Sequence, residues 1–147
     1  MIIDARGCIV GRLASHVAKK SLAGEQVIVV NAEKAIISGR DKMILSEEKD
    51  KQDIRNLGNP LRGPFHHKRP DKYLRKAIRG MLPYKRYRGK KAYENVMVYV
   101  GLPKEEIKKR HGIEVKDSDL IELKDARKKV RNHLTLGEVC SAIGGRW

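Results

Sequence analysis

Apolar residues change their period along the chain, and each change predicts an element. Met1 to Ala5 reads as a short strand that ends in a turn at Arg6–Gly7. Leu13, Ala14, Val17, Ala18 and Leu22 then recur at spacings of three and four, which places them on one face of a helix opening at Gly11. Gly24 is a helix stop. Val27 to Val30 is an unbroken apolar run, the pattern of a strand covered on both faces. Strand, helix and buried strand in this order predict a βαβ unit and a parallel sheet. Ala35–Ser38 predicts a third, short strand, and a polar helix follows from about Arg40 to Asp53, with Met43, Ile44 and Leu45 as its apolar residues.

The middle of the chain reads differently. Gly58, Pro60, Gly63, Pro64 and Pro70 make Asn56 to Pro70 a loop. In Asp71 to Leu82, the residues Leu74, Ile78, Met81 and Leu82 share a helical face flanked by Ala77, and Lys72, Arg75, Lys76 and Arg79 lie largely opposite. Pro70 suits the start of that helix and Pro83 ends it. Tyr84 to Lys91 is read as a second basic loop around Gly89. Asn95 to Val100 alternates as a strand does, and a short helix covers Lys104 to His111, stopped by Gly112. Residues 113–133 are charged and carry no clear period. Thr135 and Glu138 are spaced for a capping box, with Leu134 and Val139 placed as a hydrophobic staple, so a last helix is expected from Leu136 to about Ile143. No repeat or linker divides the chain, so one α/β domain spanning 1–147 is expected. In that reading a basic loop-helix-loop, 55–93, is inserted before the last core strand, and a C-terminal extension occupies 113–147.

Charge changes this picture. The net charge is +15, yet Arg55 to Tyr93 alone carries thirteen basic residues against one acid, Asp71, for +12. The flanking segments carry nine basic and eight acidic residues before it and eleven and nine after it. A partner with dense negative charge explains such asymmetry. Like charges this crowded repel, so the two loops are expected to be loose until phosphates neutralise them. Five of the seven aromatics, Phe65, Tyr73, Tyr84, Tyr87 and Tyr93, lie in the same stretch. Planar rings among cations suit nucleic acid, where Arg and Lys meet phosphates and rings stack on bases, although Tyr73 belongs by position to the helix face and the core. The residues expected at the interface are Arg55, Arg62, His66, His67, Lys68, Arg69, Lys72, Arg75, Lys76, Arg79, Tyr84, Lys85, Arg86, Tyr87, Arg88, Lys90 and Lys91. Arg6 and Arg12 join them from the first strand–helix turn. That turn has two readings, a purely structural one and one that sets Arg12 against the nucleic-acid backbone.

Other chemistry finds little support. The glycines at 7 and 11 form neither a Walker loop nor a dinucleotide fingerprint. Adjacent His66 and His67 cannot readily point at one metal ion, and Cys8 and Cys140 are too far apart in sequence to suggest a disulfide framework or zinc site, so two buried thiols are expected. No catalytic set emerges: Ser15–His16 and Ser38 lack a nucleophile elbow, and Glu47–Glu48 read as solvated. No run of apolar residues is long enough for a membrane span. The opening residues lack a charged segment followed by an apolar one, so the expected compartment is the cytoplasm. No cofactor, metal or small-molecule substrate is expected.

Four pieces of sequence carry a resemblance. They are GRLAS (11–15), VVNAE (29–33) with Ser38–Gly39, NPLRGPFH (59–66), and RGMLP (79–83) followed by Arg88–Gly89 and VYVG (98–101). Together they resemble the universal large-subunit ribosomal protein family numbered thirteen in the L series, in its archaeal form, over roughly residues 4 to 103. The resemblance implies a three-layer α/β/α fold around a four-stranded, mostly parallel sheet. It also implies binding to large-subunit ribosomal RNA beside neighbouring ribosomal proteins, a structural role in subunit assembly and translation, and no enzymatic activity. Read from the residues alone, a basic RNA-processing or RNA-modifying enzyme and a DNA-binding protein stand as alternatives. The first needs a convergent acid, base or nucleophile set, and the second a clean recognition helix.

Overall fold

A computed structural model describes residues 1–115, 119–127 and 130–147. Its centre is a sheet of four parallel strands, β1 (Ile2–Asp4), β2 (Val27–Val30), β4 (Val96–Val98) and β5 (Leu120–Glu122), in the order β4-β2-β1-β5. Ile3 pairs with Val29 on one side and with Ile121 on the other. Side chains alternate across the pleat. Ile3, Val27, Val29 and Val96 enter one core with Leu13, Ala14 and Val17 of α1 (Val10–Leu22) and Leu74 and Ile78 of α3 (Pro70–Met81). Ile2, Ile28 and Val30 enter a second core on the opposite face, closed by Tyr99, by Val115 and by Ile107 of α5 (Lys104–His111). Helices on both faces explain why β2 is apolar at every position, and they make the three layers.

The fourth strand of this sheet is not the one the hydrophobic pattern suggested. The predicted third strand, β3 (Ile36–Ser38), lies outside the main sheet and pairs antiparallel with β6 (His133–Thr135). Only Ile36 of β3 is buried, so this strand has one covered end rather than two covered faces. The place beside β1 goes to β5, which comes from the charged stretch that shows no period. At an edge with few apolar residues, alternation leaves no signal: Ile121 and Glu122 are both exposed. The expected C-terminal extension is thus woven into both sheets, and Val96–Val98 is not the last strand of the core.

The remaining elements follow local rules. The loop from β2 leaves through Asn31 in a left-handed conformation at φ 55°, where its side-chain amide donates to Asp4 Oδ1 at 2.9 Å. In α6 (Leu136–Ala142) the capping box forms as the spacing predicts: the Glu138 N–H donates to Thr135 Oγ1, and the Thr135 N–H donates to Glu138 Oε2 at 2.8 Å. The Thr135 N–H and then the Thr135 hydroxyl, both donating to Glu138 Oε2, hold the Glu138 carboxyl below its usual range. Cys8 and Cys140 are both free and buried, as expected, and burial pushes the Cys140 thiol up to about 12.

The helix α2 (Asp41–Asp53) departs from its sequence reading at two places. Met43 is exposed and Ile44 is buried. Glu48, expected in solvent, is buried and accepts from the Tyr73 hydroxyl at 2.9 Å and from Lys51 Nζ at 2.7 Å. A carboxylate withdrawn from water needs such partners, and Tyr73 arrives from α3, twenty-five residues away. The Tyr73 phenol is in turn raised above its ordinary range, chiefly by burial and then by the Glu48 charge.

Candidate nucleic-acid interface

The basic stretch is built on α3. Pro70 occupies its first turn, and Leu74 and Ile78 are fully buried beneath it against α1. Met81, at the end of that face, is 44% exposed, with Ser15 Oγ of α1 3.3 Å from its sulfur. The helix ends there, and Leu82 turns into an extended conformation, φ −96° and ψ 148°, that carries its own side chain inward instead. The roof of α3 is as charged as the periodicity implies, with Lys72, Lys76 and Arg79 exposed.

The second basic segment is a helix for most of its length. Where the sequence reads as a loop over Tyr84–Lys91, α4 runs from Tyr87 to Glu94, with Ala92 buried against the core. Gly89 suggested a loop, but its role is close approach. A Cβ on Gly89 would lie 2.1 Å from the Pro83 carbonyl oxygen. The turn after α3 therefore packs directly on the first turn of α4. Gly89→Ala is expected to cost about 1–3 kcal/mol by forcing these backbones apart. Thermal unfolding of the purified variant checks this, and an unchanged midpoint would show that the turn yields freely.

Between α3 and α4 the aromatic side chains have a specific use. The guanidinium of Arg79 lies over the Tyr84 ring at 4.0 Å, and that of Arg75 over the Tyr93 ring at 4.5 Å. The two rings meet edge to face at 5.4 Å and 88°. Arg75 and Arg79 are one helical turn apart, so both guanidiniums leave α3 on the same side. Each gains a cation–π contact and is held in place before any partner arrives. Tyr84 and Tyr93 therefore orient arginines, and the open ring faces belong to Tyr87, 79% exposed, and Phe65, 65% exposed. The sequence showed aromatics interleaved with cations, but not which ring served which cation.

The first basic segment is tied to the same helix. Lys76 Nζ donates to the Phe65 carbonyl at 2.9 Å. A Cβ on Gly145 would lie 2.1 Å from the Lys68 carbonyl oxygen, so the chain after α6 lies flush against this loop. Arg69 faces Asp71 at 3.3 Å, and Arg55 and Asp53 form a wide surface pair at 3.9 Å. Arg62 and Lys68 are exposed, and His66 and His67 are half-buried. Burial lowers the His67 pKa, and the charges of Lys76 and Lys72 lower it further, so the ring is neutral near pH 7.

Some cations of the surface meet acids: Lys20 meets Glu25 at 3.0 Å, and Arg127 meets Glu122 at 2.7 Å. Lys72, Arg79, Lys85, Arg86, Arg88, Lys90 and Lys91 are all exposed and have no carboxylate partner among the described residues. A groove of about 610 Å³ runs between α3 and the turn that follows it, lined by Lys76, Arg79, Tyr84, Lys85 and Arg86. Arg6 and Arg12 stand apart from this ridge. Arg6 lies 3.8 Å from Asp4 at the end of β1, and Arg12 reaches the Asp125 carbonyl at 3.4 Å from the first turn of α1.

The chain resembles known proteins over most of its length. A family described as ribosomal protein L13 matches residues 1–105. The large ribosomal subunit protein uL13 of Methanococcoides burtonii is 43% identical over 149 residues, covering 99% of both chains. Its counterpart in Methanosarcina barkeri is 44% identical over 99% of both, and that of Haloarcula marismortui is 42% identical over 98% of this chain and 90% of its own. The family match spans β1 to β4 and the α3–α4 ridge and ends at the start of α5, and the relatives extend it across the C-terminal strands and helix: the chain belongs to the ribosomal protein L13 family, whose members are ribosomal proteins and not enzymes.

Proposed function

We propose that this protein is a structural component of the large ribosomal subunit in the cytoplasm. It binds large-subunit ribosomal RNA through Arg55–Tyr93 and supports subunit assembly beside neighbouring ribosomal proteins. The observation that carries this reading is the ridge of unpaired cations fixed on two docked helices. Unpaired, solvated cations repel one another, and phosphates relieve that repulsion while releasing counterions. Because α3 and α4 are anchored by buried side chains, the charges form a shaped surface that fits closely packed RNA segments by backbone geometry. Membership of a ribosomal family supports the same conclusion.

Sedimentation tests it. The native protein is expected to travel with large subunits through a high-salt wash that strips loosely bound basic proteins. Release into the supernatant, or binding to duplex DNA at least as tight as to large-subunit rRNA at matched salt, would overturn the reading.

A further inference from the structure

A second cavity lies away from the basic ridge. It occupies about 660 Å³ between α1 and the turn after β5, and its walls include Arg12, His16, Glu122, Lys124 and Asp125 over a floor of Leu123 and Ala126. Its charge differs from that of the ridge. Two cations face two acids, and Glu122 is already engaged by Arg127 at 2.7 Å. His16 lines the cleft with its ring, and its Nδ1 is buried with no hydrogen-bond partner among the described residues. Asp125 spends its backbone carbonyl on Arg12, and its carboxylate forms no ion pair among the described residues.

Such a lining suits a neutral, flat, polar-edged molecule better than a phosphate. The apolar floor can lie under a ring, a carboxylate can accept from an exocyclic amine, and the imidazole on the wall can pack against the ring's edge. The cavity is also within reach of the ridge, because Ser15, on its wall, lies against Met81 at the end of α3. We infer that this cleft receives one unstacked base of the bound RNA, a base bearing an exocyclic amino group (adenine, cytosine or guanine), while the phosphates of the strand remain outside on the basic ridge. Sequence-specific contacts to RNA are made to splayed, single-stranded bases of this kind. The inference rests on the RNA-binding reading and adds to it the one position where base identity is sensed.

Chemical probing of large-subunit rRNA with dimethyl sulfate and kethoxal, free and bound to the full chain, tests it. The wild-type protein is expected to shield one unpaired adenine, cytosine or guanine that His16→Ala and Asp125→Ala re-expose. Affinity should fall by about tenfold, the scale of one lost base contact, with the salt dependence unchanged because no phosphate contact is lost. Unchanged melting temperatures establish that both variants are folded. If both variants leave base reactivity as in wild type while the footprint of the ridge persists, the cleft holds no base and the inference falls alone. If they instead loosen a ribosomal protein from assembled subunits, a protein segment occupies the cleft and the inference also falls. Absence of any rRNA footprint from the wild-type chain would overturn the RNA-binding reading and this inference together.

Discussion

Replacing Arg86, Arg88, Lys90 and Lys91 with glutamine is expected to weaken binding to large-subunit rRNA roughly a thousandfold at about 0.1 M salt and to reduce the slope of log K against log salt by about three. Each phosphate neutralised by a cation releases most of one counterion, so the slope counts contacts at about 0.7–0.9 apiece. All four residues are exposed on α4 or its N-terminal cap, and none has a carboxylate partner among the described residues. Their charge is therefore available to RNA rather than spent within the protein. A matched control lies on the other side of the sheet. Lys108 and Arg110 belong to α5, whose Ile107 packs into the opposite core, and both already face acids. Glutamine at those two positions should leave the slope unchanged. Filter binding across a salt series separates the cases. An unaltered slope in the fourfold variant would remove α4 from the interface, and an equal loss in the control would mean that net charge alone drives binding.

The second large effect is on stability. Leu74→Ala or Ile78→Ala is expected to cost about 2–5 kcal/mol, because each removes a fully buried side chain whose cavity the packed neighbours cannot fill. For a chain of 147 residues that lowers the unfolding midpoint by roughly ten degrees. Calorimetry or urea denaturation measures it, and a loss well below 1 kcal/mol would mean that α3 is not docked against α1 and the sheet. The two predictions are linked. The same helix carries the apolar floor and the basic roof, so a variant with a loosened floor should also bind RNA less tightly at temperatures where the wild type remains folded. Arg75 and Arg79 make the link physical, since their guanidiniums rest on Tyr93 and Tyr84 and are oriented only while α3 and α4 stay together.

Several features were legible in the sequence because their causes are local. The 3.6-residue period of α1 and α3, the apolar run of β2 and the capping box at Thr135 and Glu138 each depend on residues within a turn or two of one another. The concentration of positive charge in Arg55–Tyr93 is likewise a property of the sequence, and so are the short motifs that resemble the L13 family.

Other features were decided only by the tertiary structure. Periodicity states which face of an element is apolar but not what covers it. The pairing of β1 with β5 joins residues more than a hundred positions apart, and an edge strand with exposed Ile121 and Glu122 leaves no pattern to read. Glu48 looked solvated until Tyr73 and Lys51 were brought to it, because a carboxylate can be buried only where partners converge. Gly89 looked like a loop residue until the Pro83 backbone was found against it. The charge of the ridge was therefore set by composition, whereas its shape and the seating of Arg75 and Arg79 on tyrosine rings came from packing, which alone brings distant side chains within contact distance.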